Sequence, residues 1–172
     1  MKKLVSVLTP VLVTALVLAV IAVLVISRAK QVRHVTVLKG NGQRQPVEIV
    51  LDHYQDTQCG MLLEQVRDTA QAVAPDGRTW FFDDVGCLAL WYGDHPRRDA
   101  LVLWVRTRDT DRWVDGRAAW YTRTAETMMH YGMAAFENPG KGLIPFEEMV
   151  RLMQRGQNLT NPYTRKELLG DG

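Results

Sequence analysis

Two sulfur-bearing residues flank a glycine in the segment DTQCGMLLEQ, residues 56–65. In an extended backbone the side chains of residues i and i+2 project from the same face, whereas on a helix they diverge. If the segment is extended, Cys59 and Met61 point the same way, and Gly60 between them lets a ligand approach closely. A thiolate and a thioether are soft donors that suit Cu(I). The alternative is that Cys59 is a small buried thiol and that Met61 fills the core after a turn.

A second group of soft donors lies in the sequence ETMMHYGMAAF, where Met128, Met129 and His130 are consecutive. Their polar flanks predict a loop, which could supply the third donor of a trigonal Cu(I) site. Core packing is the alternative for this group. Three other methionines follow strand or helix patterns and are predicted to be core residues: Met133, Met149 and Met153.

The second cysteine, Cys87, begins the apolar face of a predicted helix and is interpreted as a buried structural thiol. The alternatives are a metal ligand and a disulfide partner of Cys59. Two single cysteines, 28 positions apart, lack the paired spacing of a structural zinc site. The adjacent Asp83 and Asp84 would project to opposite faces of a strand and so form no carboxylate pair. The sequence also lacks the glycine motifs of nucleotide-binding proteins and hydrolases. We therefore predict that the protein is not an enzyme.

Residues 4–26, LVSVLTPVLVTALVLAVIAVLVI, contain no charged side chain. A membrane-spanning helix takes roughly 20 apolar residues, and no signal-peptide cleavage site follows this run. We therefore predict a transmembrane anchor over residues 1–27. Basic residues flank both ends of the run, so the charge count alone leaves its orientation open.

The charge balance argues against nucleic acid as a partner. The chain has 172 residues, of which 21 are basic and 19 acidic, and Lys2 and Lys3 lie in the predicted anchor. The rest of the chain is therefore neutral, without the basic excess of a nucleic-acid-binding protein.

Strand and helix patterns divide the chain after the predicted anchor into three segments. Residues 28–45 are predicted to be a connector in which VTVL forms a short strand, and residues 157–172 a flexible tail. Between them, residues 46–156 read as strands followed by a helix, twice, with modules at about 46–95 and 96–156. Helices are predicted to begin after Asp83 or Asp84, at Asp115, and at Pro145, where first-turn chemistry is favourable. This pattern predicts an α+β fold.

Taken in order, four segments within residues 50–155 resemble the NosL family, the copper-binding accessory proteins of nitrous oxide reductase. They are CGMLL, AQAVAPDGRTWFFDDVGCLALW, RWVDGRAAWYT and MMHYGMAAF. The resemblance implies two related ββα-type modules packed together, and a membrane-attached, exported domain that binds Cu(I). It implies two partners for copper delivery in denitrification, a client copper enzyme (nitrous oxide reductase) and an ABC-transporter-type maturation complex. On this basis we expect a single pass through the inner membrane, with the domain on the periplasmic side.

Site residues carry over from the family position by position. Cys59 and Met61 match the Cys-x-Met ligands, and Met129 matches the methionine of a Thr-Pro-Met-Gly segment. This chain departs from that segment, because Met128 replaces the proline and His130 the glycine. The third copper ligand is therefore left open among these three residues. A second departure is the apolar N-terminal run, where the family often has a lipidated cysteine.

Two other classes of function fit the sequence. One is a metal-free, membrane-tethered assembly module whose α+β domain binds a partner protein. The other is a thiol redox protein using Cys59 and Cys87, although neither cysteine has the Cys-x-x-Cys setting that tunes such pairs. A copper chaperone binds Cu(I) and the assembly module does not. A thiol redox protein is expected to form a reversible disulfide.

Overall fold

The computed structural model describes residues 12–25 and 34–170. The chain divides into two units, Met1–Arg33 and His34–Gly172. Parts of the predicted anchor, connector and tail, at residues 1–11, 26–33 and 171–172, lie outside the described residues.

The first unit contains helix α1, described over residues 12–25. Crossing a bilayer takes a continuous apolar helix of roughly 20 residues. No helix in the described part of the chain has both the length and the apolar character for that. The predicted transmembrane helix within residues 1–27 is therefore wrong, and so is the location based on it, a single pass through the inner membrane with a periplasmic domain. That prediction used the apolar composition of residues 4–26 alone, which does not fix helix length.

A five-stranded antiparallel sheet with the order β1-β3-β2-β4-β5 forms most of the β-structure of the second unit. Its strands are β1 Val37–Leu38, β2 Ala70–Val73, β3 Thr79–Phe82, β4 Val102–Arg106 and β5 Trp113–Asp115. The hairpin β2–β3 turns through Pro75, Asp76 and Gly77, residues that favour tight turns. Ala74 N–H donates to the carbonyl of Arg78 at 2.8 Å and closes the turn. Every residue of β2 and β3 is buried, which places this hairpin at the centre of the fold.

A three-stranded antiparallel sheet with the order β7-β6-β8 follows. Its strands are β6 Trp120–Thr122, β7 Ala134–Phe136 and β8 Ile144–Pro145. The helix predicted to begin at Asp115 does not form. Instead, Asp115 ends β5, and its Oδ1 accepts the backbone N–H of Arg117 at 2.8 Å, which turns the chain towards β6. Aspartate stabilises such turns with the same hydrogen bond that caps helices, so its sequence signal is ambiguous.

The second unit also contains helices α2 Val85–Asp94, α3 Phe146–Gln154 and α4 Pro162–Leu169, and a 3₁₀ turn, Arg98–Ala100. Helix α2 begins as predicted, because Asp84 Oδ1 accepts the N–H of Gly86 at 2.7 Å. Helix α3 likewise follows Pro145. Helix α4 lies in the segment predicted to be a flexible tail, where Asn161 caps its first turn.

One apolar core joins both sheets to α2 and α3, and it contains Met133, Met149 and Met153 as predicted. The α+β class is confirmed. The division into two ββα modules at about residue 95 is not followed by the sheets, because β4 and β5 extend the first sheet. Strand β4 pairs with β2 over four residues, from Ala70 opposite Val105 to Val73 opposite Val102. Sequence patterns locate strands but not their partners, and this pairing joins the two predicted modules.

The buried hydroxyl of Tyr121 gives a testable contribution to stability. Its Oη donates to the carbonyl of Gly116 at 2.6 Å, and the side chain is fully buried. Tyr121→Phe removes this donor and should lower the free energy of unfolding by about 1–2 kcal/mol in urea titrations. Tyr163→Phe is the matched control, because Tyr163 is 86% exposed. Equal losses in the two variants would contradict the assignment.

Candidate metal centre

Ligand atoms of Asp56, Cys59, Asp83 and Cys87 lie within 4.8 Å of one another. The group offers two sulfur atoms and two carboxylate oxygens, and it can hold a metal ion. Three of its members are buried, whereas Cys59 is half-buried. Both cysteines are free thiols. Solvent therefore has its best access to the group at Cys59.

Cys59 lies in a closed turn and not in the extended segment that the sequence predicted. Asp56 N–H donates to the carbonyl of Met61 at 2.8 Å, and Gly60 N–H donates to the carbonyl of Asp56 at 3.0 Å. Gly60 has a φ of +79°, a left-handed conformation that glycine adopts at little cost. Because the chain reverses here, strand alternation does not relate Cys59 to Met61. Their pairing as ligands stays a prediction without that geometric basis.

The carboxylate of Asp56 organises the turn. Its Oδ1 accepts the backbone N–H groups of Gln58 at 2.6 Å and Cys59 at 2.9 Å. Its Oδ2 accepts the N–H of Asp83 at 2.8 Å. Thr57 N–H also donates to the carbonyl of Phe81, at 2.9 Å. These bonds fasten the turn to the end of strand β3, so Cys59 and Asp83 are held side by side.

Asp83 has a buried carboxyl group that is only half satisfied. Its Oδ1 lies 3.8 Å from Cys59 Sγ and accepts that thiol's hydrogen. Its Oδ2 is buried with no hydrogen-bond partner among the described residues. Burial, and then the neighbouring carboxyl group of Asp56, raise the pKa of Asp83 well above the usual range for aspartate. Since buried polar atoms are normally paired, this oxygen is available to a cation.

Both thiols are harder to ionise than a free cysteine. Burial raises the pKa of Cys59 to about 11. A hydrogen bond with the backbone N–H of Met61 lowers this pKa, and the charges of Asp56 and Asp83 raise it. Burial also raises the pKa of Cys87, far beyond its usual range. At neutral pH both thiols are therefore protonated without a metal. A metal ion that binds them must displace protons.

The loop that carries Met129 is fastened to the start of α2. Met129 N–H donates to Asp84 Oδ2 at 3.1 Å, so the residue that caps α2 also holds this loop. Burial raises the pKa of Asp84 to about 6. Arg108 makes two hydrogen bonds to the buried Asp68 and donates to the carbonyl of Glu126 at 2.6 Å. These contacts fix the loop beside Asp84, the residue that follows Asp83.

The structure separates the candidate soft donors by exposure. Met129 is half-buried and packs on the main core, as Cys59 does. Met61 is 41% exposed. Met128 is half-buried, and the exposed His130 has a φ of +55° and lines an open cavity of about 600 Å³ on the side of α4. Of the candidate donors in this loop, Met129 alone has its backbone bonded to the Asp83–Asp84 corner.

Sequence reasoning found Cys59 but did not select Asp56, Asp83 or Cys87 as site residues. The sequence pattern favours a structural role for Cys87, and the adjacency of Asp83 and Asp84 argues only against a carboxylate pair. The relevant spacings were visible: Asp56 precedes Cys59 by three positions, and Asp83 precedes Cys87 by four. What the sequence did not supply is the packing of the turn on β3.

No protein-family model matches this chain, and no curated protein matches it.

Close packing over α2 yields a second prediction. A Cβ atom at Gly86 would lie 2.5 Å from Tyr131 Cδ2 and 3.0 Å from Met153 Cε. Although alanine favours helix by about 1 kcal/mol over glycine, Gly86→Ala should lower the free energy of unfolding by about 1–3 kcal/mol through overpacking. Gly93→Ala in the same helix meets only the flexible end of Gln154 and should cost less. A gain in stability from Gly86→Ala in thermal unfolding would contradict this packing.

Proposed function

We propose that this protein is a copper chaperone that binds Cu(I) and passes it to a client copper enzyme. The observation that carries the proposal is the pair of free thiols, Cys59 and Cys87, whose sulfur atoms lie within 4.8 Å of each other. Cu(I) favours soft sulfur ligands and low coordination numbers. Two thiolates already form such a donor set.

Met129 is the candidate for a third soft donor. Met129 packs on the same core as Cys59 and is fastened through Asp84 to the corner next to Asp83. Its thioether is our proposed third ligand, ahead of Met128 and His130. Met61 is more exposed and is better suited to the rim of the site, where an incoming copper ion or client first makes contact.

The two carboxylates have a different role from the sulfur ligands. Both oxygens of Asp56 accept hydrogen bonds from backbone N–H groups, so Asp56 shapes the turn and contributes negative charge. Asp83 lies against Cys59 and has one oxygen without a hydrogen-bond partner among the described residues, which its carboxyl can offer to a bound cation. A hard oxygen beside two sulfurs would also serve Zn(II), so zinc is the main competitor.

Unequal exposure supports transfer and not only storage. Cys87 is fully buried in α2, whereas Cys59 is half-buried on a turn. A ligand from a client would therefore meet the copper ion on the Cys59 side and replace that bond first. Exchange through a shared three-coordinate ion lets tight binding coexist with rapid transfer.

The resemblance of residues 50–155 to the NosL family is the support for a particular client. On that basis the client is nitrous oxide reductase, and an ABC-transporter-type complex takes part in its maturation. This part of the proposal depends on segments of sequence and not on geometry. A pull-down of the purified chain against the purified reductase, with and without bound copper, tests it.

A competition titration tests copper binding directly. The reduced full-length protein is titrated against a chromogenic Cu(I) chelator, first alone and then with excess Zn(II). We expect one Cu(I) per chain, removed from the chelator and not displaced by zinc. Displacement by zinc would identify a zinc site instead. Absence of affinity for either metal, with client binding intact, would favour the metal-free assembly module.

A further inference from the structure

The two thiols of the candidate site lie close enough to each other to form a pair. Cys59 Sγ and Cys87 Sγ are members of a group whose ligand atoms all lie within 4.8 Å of one another. A disulfide bond has an S–S distance of about 2.05 Å. The sulfurs therefore need to approach each other by at most about 3 Å.

The two cysteines differ in how far they can move. Cys87 lies in the first turn of α2, where its N–H donates to the carbonyl of Asp84 at 2.9 Å. Cys59 lies on the turn closed by Asp56, outside regular secondary structure. Because Asp56 also fastens the backbone of this turn, the approach falls to rotation of the half-buried Cys59 side chain, while the fully buried Cys87 stays in place.

They also differ in what can reach them. The side chain of Cys87 is 0% exposed, and Cys59 is partly exposed. An oxidant in solution therefore meets Cys59 first, and Cys87 can react only with a sulfur that is already inside the site. This asymmetry defines an attacking and a resolving thiol.

We propose that Cys59 and Cys87 form a reversible intramolecular disulfide that closes the metal site. The bond itself depends only on the two thiols, whereas its effect on copper loading rests on the proposed function. The disulfide consumes both thiolates, so the group keeps only its carboxylate oxygens, which Cu(I) does not favour. Oxidation would thus release copper or prevent its uptake.

The exchange with a small disulfide such as oxidised glutathione is balanced. The Cys59 thiol loses its proton and its sulfur attacks one glutathione sulfur, which forms a mixed disulfide and releases a glutathione thiolate that takes up a proton. The Cys87 thiol then loses its proton, and its sulfur attacks Cys59 Sγ and releases the second glutathione, which is protonated in the same way. Together the two protein thiols lose two electrons and two protons, and the glutathione disulfide gains them as two thiols.

Intact-mass spectrometry of the full-length protein tests the bond. Reduced, metal-free protein is incubated with oxidised glutathione and quenched by alkylation under denaturing conditions. We expect a monomer that has lost two hydrogens and carries neither glutathione nor an alkyl group, with both thiols restored by dithiothreitol. A parent protein that stops at a stable glutathione adduct, or that keeps both thiols, overturns the proposal.

Two variants assign the roles. Cys87→Ser should stop at a glutathione adduct on Cys59, because the resolving thiol is missing. Cys59→Ser should keep its remaining thiol unmodified until it is denatured. An adduct on Cys87 in folded Cys59→Ser, checked by circular dichroism, contradicts the order of attack. If a variant fails to fold, the time course of the parent decides, since the mixed disulfide must appear before the closed form.

A Cu(I) competition measurement on oxidised and reduced protein distinguishes failure of this inference from failure of the proposed function. Oxidised parent protein should compete for Cu(I) at least about 100-fold less well than reduced protein, because its thiolate ligands are gone. Equal affinities would overturn the closing of the site. If reduced protein binds no Cu(I) and yet forms the disulfide, the proposed function and the closing of a copper site both fail, and the bond stands.

Discussion

Cys59→Ser is expected to lower the affinity for Cu(I) by at least about 100-fold, since altering residues that only support metal ligands already costs 10–100-fold. A serine hydroxyl is a hard donor with almost the same shape as the thiol, so the change removes the soft ligand and leaves the turn intact. The backbone bonds of the turn, from Asp56 to Met61 and from Gly60 to Asp56, do not involve the sulfur. The measurement is the chelator competition titration, with circular dichroism to verify folding.

Three further variants decide which ligands accompany Cys59. If the thiol pair holds copper, Cys87→Ser should lose affinity nearly as strongly, and Met129→Ala should lose about 10-fold or more. Met61→Ala should have the smallest effect, because that side chain is 41% exposed. A loss in Met61→Ala as large as in Cys59→Ser, with Cys87→Ser unaffected, would restore the Cys-x-Met ligand pair expected from the sequence. Cu(I) affinity unchanged in Cys59→Ser would refute the site altogether.

Asp56→Ala is expected to lower the free energy of unfolding by about 2–4 kcal/mol, because three backbone N–H groups lose a charged acceptor at a site closed to water. The carboxylate is 1% exposed and bonds the N–H groups of Gln58, Cys59 and Asp83. Since these bonds tie the turn to β3, the same variant should also weaken metal binding although both thiols remain. Urea unfolding and the chelator titration measure the two effects.

Asp76→Ala is the matched control for that variant. Asp76 also bonds the N–H of the residue two positions on, Arg78, but it lies on an exposed turn. Its loss should change stability little. Asp56→Asn should fall between alanine and the parent, because one carbonyl oxygen remains as an acceptor. If Asp56→Ala were as mild as Asp76→Ala, the turn would be held by other contacts and this account of the site would be wrong.

Local signals predicted most of the elements around the site. Strands followed by a helix were predicted within residues 46–95, and strands β2 and β3 and the capped start of α2 lie there; the helix predicted at Pro145 also forms. The helix predicted at Asp115 was wrong, because an aspartate that accepts a backbone N–H has the same sequence signal before a helix and in a tight turn. The apolar run near the N-terminus misled differently, since composition alone does not give the length of a helix.

The composition of the site depended on contacts that no local pattern encodes. Asp56 and Asp83 are 27 positions apart and meet because the turn packs on the end of β3. Each has a familiar local explanation in the sequence, one as a turn residue and one as a cap candidate. Cys59 was found because its chemistry is unusual, while the residues around it have common roles elsewhere in proteins. The sequence therefore predicted the reactive atom better than its surroundings.

The left-handed conformation of Gly60 changes what the triplet Cys-Gly-Met means as a signature. A Cβ atom at this position would have room, with its nearest neighbour, Gln55 Nε2, 3.8 Å away. The requirement for glycine is thus one of backbone handedness and not of space for a ligand, and asparagine is the residue best able to replace it. A search for related sites should therefore look for an aspartate, a cysteine three positions later and then a residue that tolerates positive φ. The identity of the third letter, methionine, is the part of the signature that is freest to vary.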